Sequence, residues 1–320
     1  MLMSDPSREE SPPGHAIETK QLSKSYGGVE ALKDLTLQIP VGSVFGLIGR
    51  NGAGKTTALN LLIGLLWPDA GWARIGGYDA HREGARARRQ IAFVGEGATV
   101  YPWLTVAETA RYWSRLSDGW SDAAFRQCAA RFDLPLDRRV GKFSKGMRTQ
   151  LLLALAVGKE PQIYVLDEPT SGLDPVMRHH VLRFLQDEAA GRGRTVLLSN
   201  HVLSELSTVC THVAVIERGR LRASSELPAL LTQWRKYAFM SSDSSIETLV
   251  RDLNMPRYTK IGDAYTLVVD RDHDTTLAHL RAAPIEGLHV AAMGLEEIFL
   301  SIIGFDATEA AVTTVTEGRA

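Results

Sequence analysis

The sequence predicts an α/β fold built on a mostly parallel sheet, with an antiparallel β layer, a helical insert and a small α+β domain at the C-terminal end. Three observations predict it. Short apolar runs alternate with helical patterns, a glycine-rich loop joins one such run to the next helix, and the pattern changes beyond Pro228. Strands that alternate with helices imply a parallel sheet covered on both faces.

The predicted organisation has three parts. A disordered tail without the apolar stretch of a signal peptide covers 1–15, the main domain covers 16–227 with its insert at about 99–159, and the accessory domain covers 228–320.

Composition narrows the class of protein. The chain has 320 residues, 44% of them hydrophobic and 23% charged, which is typical of a soluble globular protein. A formal net charge of −1 gives no reason to expect nucleic-acid binding. The longest apolar run, 151–157, is too short to cross a bilayer, so we expect any membrane role to depend on a partner. Cys128 and Cys210 lack metal-site spacing, which favours buried thiols in a reducing cytosol.

The first third of the chain leads into and out of one buried strand. Alternating apolar and polar residues over 16–42, around a Tyr26-Gly27-Gly28 turn, predict a half-exposed antiparallel layer. The apolar run 44–48 predicts a buried strand and 58–66 a buried helix. Four arginines in 81–90 give a helix a basic face. We interpret this face as solvated rather than as a nucleic-acid patch, because no aromatic residues are interleaved.

The remaining elements follow from the same patterns. Thr105 and Glu108 have the spacing of a capping box, which predicts a helix start. Other predicted helices are 125–132, 151–157, 176–190, 202–210, 246–253, 275–282 and 295–303. Predicted strands are 91–94, 163–166, 195–198, 213–216, 265–269 and 288–290.

The glycine-rich loop carries the first functional prediction. It has the spacing G-x-x-x-x-G-K-[ST], and its residues are Gly49, Arg50, Asn51, Gly52, Ala53, Gly54, Lys55, Thr56 and Thr57. Glycines let backbone N–H groups turn inward around a phosphate, Lys55 adds a cation, and the Thr56 hydroxyl can bind Mg²⁺. A chance glycine-rich turn is the alternative, and the strand–loop–helix context argues against it. The following helix adds the partial positive charge of its N-terminus.

Two adjacent carboxylates end the strand at 163–166. Asp167 and Glu168 should point to opposite sides, so one can hold Mg²⁺ while the other meets water. An Asp-Glu pair by itself is usually a solvated loop end. Here it follows four apolar residues and precedes Pro169-Thr170-Ser171-Gly172-Leu173-Asp174, which favours an active site.

Taken in order, these motifs resemble those of an ATP-binding cassette (ABC) transporter ATPase, which has a P-loop NTPase fold. The resemblance covers 17–227, and the single-cassette layout is most similar to ATPase subunits of bacterial multidrug and antibiotic (ABC-2 type) exporters. It rests on five segments, which are 49–57, Ser144-Lys145-Gly146-Met147-Arg148, Leu166-Asp167-Glu168-Pro169-Thr170, Ser171-Gly172-Leu173-Asp174 and Ser199-Asn200-His201.

The resemblance implies a role for each matched residue. Tyr26 would stack on adenine, Lys55 and the loop N–H groups would hold the β- and γ-phosphates, and Thr56 and Asp167 would bind Mg²⁺. Glu168 would be the general base, and His201 would contact the γ-phosphate. Without the resemblance, Tyr26 would be an ordinary core or turn residue and His201 a structural histidine.

Two positions depart from the family pattern. Glu96 stands where the family has a Mg²⁺-binding Gln, so the resemblance implies that it would add negative charge beside the metal and ATP. The signature Leu-Ser-Gly-Gly-Gln is Phe143-Ser144-Lys145-Gly146-Met147 in this chain, in which Lys145 adds a positive charge. Considered alone, Ser144 is simply a helix N-cap.

The signature segment also implies partners. In the family it completes the ATP site of a second cassette, so Ser144, Lys145, Gly146, Met147 and Asp174 would face a second copy of the chain, or a paired second ATPase subunit. A separate transmembrane permease would dock near 96–103 and hold the chain at the cytoplasmic side of the cell membrane. The alternative is a soluble ATP-dependent switch on the ribosome or DNA. Relatives of that class carry two cassettes or a long coiled-coil insertion, and this sequence shows neither.

Overall fold

The computed structural model describes residues 14–252 and 258–304. They fall into two compact units, divided between Ser224 and Ser225. The predicted disordered tail lies outside the described residues except at its end, where the first strand begins at His15. Among the residues described, no helix combines the length and apolar character needed to cross a bilayer.

The described part of the first unit contains ten strands, and the last of them continues to Glu226. They are β1 (His15–Tyr26), β2 (Val29–Pro40), β3 (Val44–Ile48), β4 (Ala70–Ile75), β5 (Tyr78–Asp79), β6 (Ile91–Val94), β7 (Ile163–Asp167), β8 (Thr195–Asn200), β9 (His212–Glu217) and β10 (Arg220–Glu226). Its α-helices are α1 (Lys55–Leu62), α2 (Gly84–Gln90), α3 (Val106–Leu116), α4 (Asp122–Arg131), α5 (Lys145–Gly158), α6 (Pro175–Arg192) and α7 (Leu203–Val209), with a 3-10 helix at Val140–Lys142.

The main sheet has the strand order β10-β9-β3-β8-β7-β6. Four neighbouring pairs in this sheet are parallel: β6 with β7, β7 with β8, β8 with β3, and β3 with β9. All residues of β3, β7 and β8 are buried, as expected for strands that are covered on both faces. A second sheet, β2-β1-β4-β5, pairs antiparallel throughout. The predicted α/β fold with a parallel sheet, an antiparallel layer and a helical insert is confirmed.

The second unit is the predicted α+β structure. It contains α8 (Leu227–Gln233), β11 (Arg235–Met240), α9 (Ser245–Asp252), β12 (Tyr258–Ile261), β13 (Ala264–Val269), α10 (His273–Ala282), β14 (Glu286–Ala292) and α11 (Leu295–Ile303). The sheet order is β12-β13-β11-β14, and every pairing is antiparallel. Its own core includes Tyr237, Phe239, Ile246 and Leu267.

The two cysteines behave as predicted. Cys128 and Cys210 are free and buried. Burial raises the pKa of the Cys128 thiol and of the Cys210 thiol to about 12, so both are protonated and unreactive at neutral pH.

The capping box of α3 is present as predicted. The Thr105 hydroxyl accepts a hydrogen bond from the Glu108 backbone N–H at 3.2 Å, and the Glu108 carboxylate accepts one from the Thr105 N–H at 2.8 Å. That backbone bond lowers the pKa of Glu108 below its ordinary value. The box therefore satisfies two N–H groups at the start of α3.

Thr105→Ala should lower the free energy of unfolding by about 1 kcal/mol, because the N-cap oxygen is lost. Thr149→Ala is a matched control, since Thr149 lies inside α5 and caps nothing. Urea unfolding followed by circular dichroism measures both. Equal stability of the two variants would show that the capping box contributes nothing.

Candidate functional site

The glycine-rich loop lies at the carboxyl end of β3, between the buried strand and α1. Gly54 has a φ of 106°, a conformation that L side chains rarely adopt. A Cβ on Gly54 would come within 2.5 Å of the Ala31 carbonyl oxygen, and a Cβ on Gly49 within 2.6 Å of the Ile216 carbonyl oxygen. The loop therefore requires glycine at both positions, for backbone shape and for close packing.

Lys55 begins α1 and folds back over the loop. Its Nζ donates hydrogen bonds to the Gly49 carbonyl at 2.7 Å and to the Arg50 carbonyl at 3.3 Å. An ammonium group has three donors, so one remains for a ligand after these two bonds. The side chain is buried, and the loop carbonyls hold its charge at the strand end.

The loop forms one wall of a cavity of about 460 Å³. This volume suits a small-molecule ligand. The lining residues are Tyr26, Ala31, Arg50, Asn51, Gly52, Ala53, Gly54, Lys55, Thr56, Thr57, Glu96, Asp167 and Glu168. All of them except Ala31 were predicted from the sequence as site residues. Tyr26 is 46% exposed, which leaves its ring accessible to a ligand.

Asp167 ends β7, Glu168 follows it directly, and the two carboxylates face different partners. Asp167 is buried, and its Oδ2 accepts a hydrogen bond from the Thr56 hydroxyl at 3.0 Å. Glu168 Oε1 lies 3.9 Å from Lys55 Nζ. Glu168 has a φ of 51°, in the left-handed region that non-glycine residues seldom occupy. The backbone therefore turns sharply at the second carboxylate, in agreement with the expected divergence of the pair.

His201 follows β8 and reaches the second carboxylate. Its Nδ1 lies 2.6 Å from Glu168 Oε2, and the ring is about half exposed. The other ring nitrogen is therefore not engaged with this carboxylate.

Ser199 has a positioning role that its sequence motif alone did not assign. Its hydroxyl donates to Asp167 Oδ1 at 2.6 Å and accepts from the Glu168 backbone N–H at 3.0 Å. It thus fixes both carboxylate residues from the neighbouring strand. Its position two residues before His201 was the signal in the sequence.

The signature residues lie apart from the cavity lining. The Ser144 hydroxyl caps α5 by accepting from the Met147 N–H at 3.2 Å, which confirms the N-cap interpretation. Asp174 caps α6 in the same way, through Met177 N–H at 3.0 Å. Gly146 packs on Met177, and the Lys145 ammonium lies beside Gly172. The starts of α5 and α6 are therefore neighbours within one chain.

Metal-binding chemistry is limited to a few oxygens. Within 14–252 and 258–304, no group of three or more His, Cys, Asp or Glu side chains could hold a metal ion. Thr56 and Asp167 still offer two hard oxygens at the cavity, the ligand type that Mg²⁺ prefers when phosphate and water supply the rest. Glu96 lines the cavity with an exposed side chain.

Comparison with known proteins identifies the family of the chain. The family model described as ABC transporter matches residues 32–171. The daunorubicin/doxorubicin resistance ATP-binding protein DrrA of Streptomyces peucetius is 33% identical, over 95% of this chain and 97% of the relative. The Nod factor export ATP-binding protein I of Burkholderia orbicola (strain AU 1054) is 32% identical, over 90% of this chain and 97% of the relative.

A solved structure of the ATP-binding subunit of an ABC transporter superposes with a TM-score of 0.62. The two chains are 32% identical in sequence, and the superposition covers 68% of this chain and 92% of the solved one. The chain therefore belongs to the ABC transporter family, as one of its ATP-binding and ATP-hydrolysing subunits.

Proposed function

We propose that this chain hydrolyses Mg-ATP to power export through a separate membrane-spanning subunit. The observation that carries the proposal is that Lys55, Asp167 and Glu168 line one cavity at the ends of parallel strands. His201, which follows the neighbouring strand, contacts Glu168 there. Two full-length relatives are named for drug resistance and for export, which supports the direction of transport.

ATP would occupy the cavity beside the glycine-rich loop. Tyr26 would stack on the adenine ring, and the N–H groups of 49–57 with Lys55 would bind the phosphates. Thr56 and Asp167 would hold Mg²⁺, with Glu96 beside it, and a bound Mg²⁺ neutralises phosphate charge during transfer. The Thr56 hydroxyl and the Asp167 carboxylate already contact each other, so the two oxygens are placed to share one ion.

Glu168 would accept the proton of the attacking water. Its carboxylate lies 9% exposed at the cavity, between Lys55 and His201. The bond to Ser199 holds its backbone, and the contact with His201 holds its Oε2. A base that is held on both sides loses little orientational freedom when it acts, which favours proton transfer. His201 would also contact the γ-phosphate.

A second ATPase chain would complete the site. Ser144, Lys145 and Asp174 are exposed at adjoining helix starts but do not line this chain's cavity, which supports a role at the cavity of a partner. Gly146 and Met147 lie at the same helix start. Two copies related by two-fold symmetry would each supply this surface to the other, so that ATP closes the dimer and hydrolysis reopens it.

The permease would dock on exposed aromatic residues, two of which follow Glu96 closely in the chain. Tyr101, Trp103 and Tyr112 form an aromatic patch, with Tyr101 ring centroids 5.0 Å from Trp103 and 5.6 Å from Tyr112. Their exposed fractions are 45%, 63% and 42%. Clustered exposed aromatic residues mark protein interfaces. A cytoplasmic segment of the permease is the proposed occupant, which would keep the chain at the cytoplasmic face of the membrane.

Trp103→Ala should detach the chain from membranes without changing ATP hydrolysis by the free protein. A buried interface aromatic contributes about 2 kcal/mol or more, so recovery should fall at least about tenfold. The measurement is tagged-protein recovery in membrane and ribosome fractions of the native cell. Trp67→Ala is the matched control, because Trp67 is 66% exposed and lies outside the aromatic patch. Recovery of the parent protein with ribosomes instead of membranes would contradict the transporter proposal.

A further inference from the structure

A buried network of polar side chains connects the segments that follow the paired parts of β7 and β8. It begins where the backbone hydrogen bonds between the two strands end. The last ladder pair is Asp167 with Ser199. Past it, the chain segments that carry Glu168 and His201 separate into two loops. Among the described residues, β7 and β8 form no ladder pair beyond this one, and side-chain hydrogen bonds link the two segments there.

Glu205, on α7, accepts hydrogen bonds from the loop after β7 and from the last residue of β8. Its Oε2 accepts from the Thr170 hydroxyl at 2.8 Å and from Asn200 Nδ2 at 2.9 Å. Asn200 Nδ2 also donates to the Thr170 hydroxyl oxygen at 3.0 Å. Their exposed fractions are 8% for Glu205, 2% for Thr170 and 0% for Asn200. Water is excluded from the triangle, so each bond that is lost leaves a buried polar group unpaired.

The network bears directly on the two hydrolytic residues. Thr170 stands two residues after Glu168, and Asn200 immediately precedes His201. The Asn200 side-chain oxygen also accepts from the Val202 N–H at 2.9 Å, which bends the chain around His201. The bond between Thr170 and Asn200 therefore sets the distance between the two loops that present the Glu168–His201 contact.

Arg178 extends the network to the segment before α6. Its Nη1 lies 2.7 Å from Glu205 Oε1, and its Nη2 donates to the Leu173 carbonyl at 3.2 Å. Leu173 precedes Asp174. The segment between the hydrolytic carboxylate and Asp174 is thus fixed at Thr170 and at Leu173, and both attachments meet at Glu205.

We infer that Glu205 is a positioning residue for ATP hydrolysis, which holds the loops of Glu168 and His201 in register through Thr170, Asn200 and Arg178. This inference rests on the proposed roles of Glu168 and His201. Glu205 lies outside the cavity lining, so its effect should fall on turnover and not on ATP binding.

Glu205→Gln replaces one acceptor oxygen by an amide donor, so Arg178 or the Thr170–Asn200 pair must lose its partner. We expect kcat to fall about tenfold or more, with KM for ATP within about threefold of the parent, because small displacements of reacting groups reduce turnover strongly. The measurement is steady-state ATPase kinetics, together with equilibrium ATP binding and thermal unfolding of each protein.

Glu188→Gln is the matched control. Glu188 is also a buried carboxylate, 4% exposed, which accepts from the Tyr164 hydroxyl at 2.9 Å and pairs with Arg192 at 3.6 Å. Neither of these partners belongs to the network of Glu205. We expect Glu188→Gln to lower the thermal stability of the protein and to keep kcat within about twofold of the parent. Equal losses of kcat in the two variants would overturn the inference, since the effect would then be one of general destabilisation.

If Glu205→Gln does not fold, a second pair of variants tests whether the network positions the residues that hydrolyse ATP. Thr170→Val keeps the side-chain shape and removes the hydroxyl, whereas Thr170→Ser keeps the hydroxyl. We expect a kcat loss of about fivefold or more for the Val variant and near-parental turnover for the Ser variant, because only the hydroxyl bonds Glu205 and Asn200. Parental kcat in Thr170→Val overturns the inference.

Glu168→Gln, assayed in parallel, separates this inference from the proposed function. If Glu168→Gln is inactive while Glu205→Gln and Thr170→Val turn over ATP at the parental rate, only the role of Glu205 fails. If Glu168→Gln turns over ATP at the parental rate, the proposed hydrolytic mechanism fails.

Discussion

Glu168→Gln should reduce ATP turnover by about 10²- to 10⁴-fold and leave ATP binding intact, because a general base contributes that range to the rate. The amide matches the carboxylate in shape, so it can keep the unusual backbone conformation at 168 and a hydrogen bond to His201. It cannot take a proton from water. The change therefore tests proton acceptance without removing the side chain.

ATP should then hold two copies of the variant together. Because the closing step needs ATP binding and reopening needs hydrolysis, size-exclusion chromatography with Mg-ATP should show a dimer that persists in the variant and disperses in the parent. The control is Glu188→Gln, which changes another buried carboxylate, on α6, and this variant should still hydrolyse ATP. Persistence of ATPase activity in Glu168→Gln would exclude Glu168 as the base.

Much of the fold could be predicted because its signals are local. The strands β3, β7 and β8 each contain a short apolar run, and the burial of these runs follows from the sequence. The burial of the polar residues at the strand ends, such as Asp167 and Asn200, does not follow from the runs. The capping box at Thr105 could be predicted for the same reason, since both partners lie within four residues.

Other elements gave weak local signals. Strand β10 has the sequence RLRASSE, and none of its residues is buried, so no apolar pattern marks it. Strand β4 is half exposed and begins with Ala70-Gly71, so no continuous apolar run marks it. Both strands exist because neighbouring strands supply hydrogen-bond partners, and such tertiary effects override local propensity. Helix α1 ends at Leu62 and not at Leu66, because the backbone at Gly64 has a φ of 73°.

The cavity residues could be predicted because spaced motifs identify them, whereas their mutual contacts could not. The proximity of Glu168 and His201 spans 33 positions of the chain and depends on β7 lying beside β8. The bonds from Ser199 to Asp167 and from Asn200 to Thr170 have the same origin. A motif gives the identity of the residues, and strand order decides which of them meet.

Lys55→Ala should weaken ATP binding by about tenfold to a hundredfold, since a hydrogen bond from a charged donor contributes about 1.5–3 kcal/mol. The structure adds a second reason. Lys55 also holds the carbonyls of Gly49 and Arg50, so its loss should loosen the loop whose N–H groups bind phosphate. ATP affinity is measured by isothermal titration calorimetry.

Lys55→Arg separates the two contributions of Lys55. Arginine keeps the positive charge, but its planar guanidinium cannot reproduce the compact ammonium that bonds both carbonyls inside the loop. If charge alone governs affinity, Lys55→Arg binds ATP like the parent; if loop geometry matters as well, it binds nearly as weakly as Lys55→Ala. We expect Lys55→Arg to bind ATP weakly, because the ammonium is buried and both of its carbonyl partners lie on the loop backbone.

The control is Lys142→Ala, which removes an exposed lysine of the 3-10 helix and should leave ATP binding unchanged. Undiminished affinity in Lys55→Ala would refute the phosphate-binding role of this loop cation.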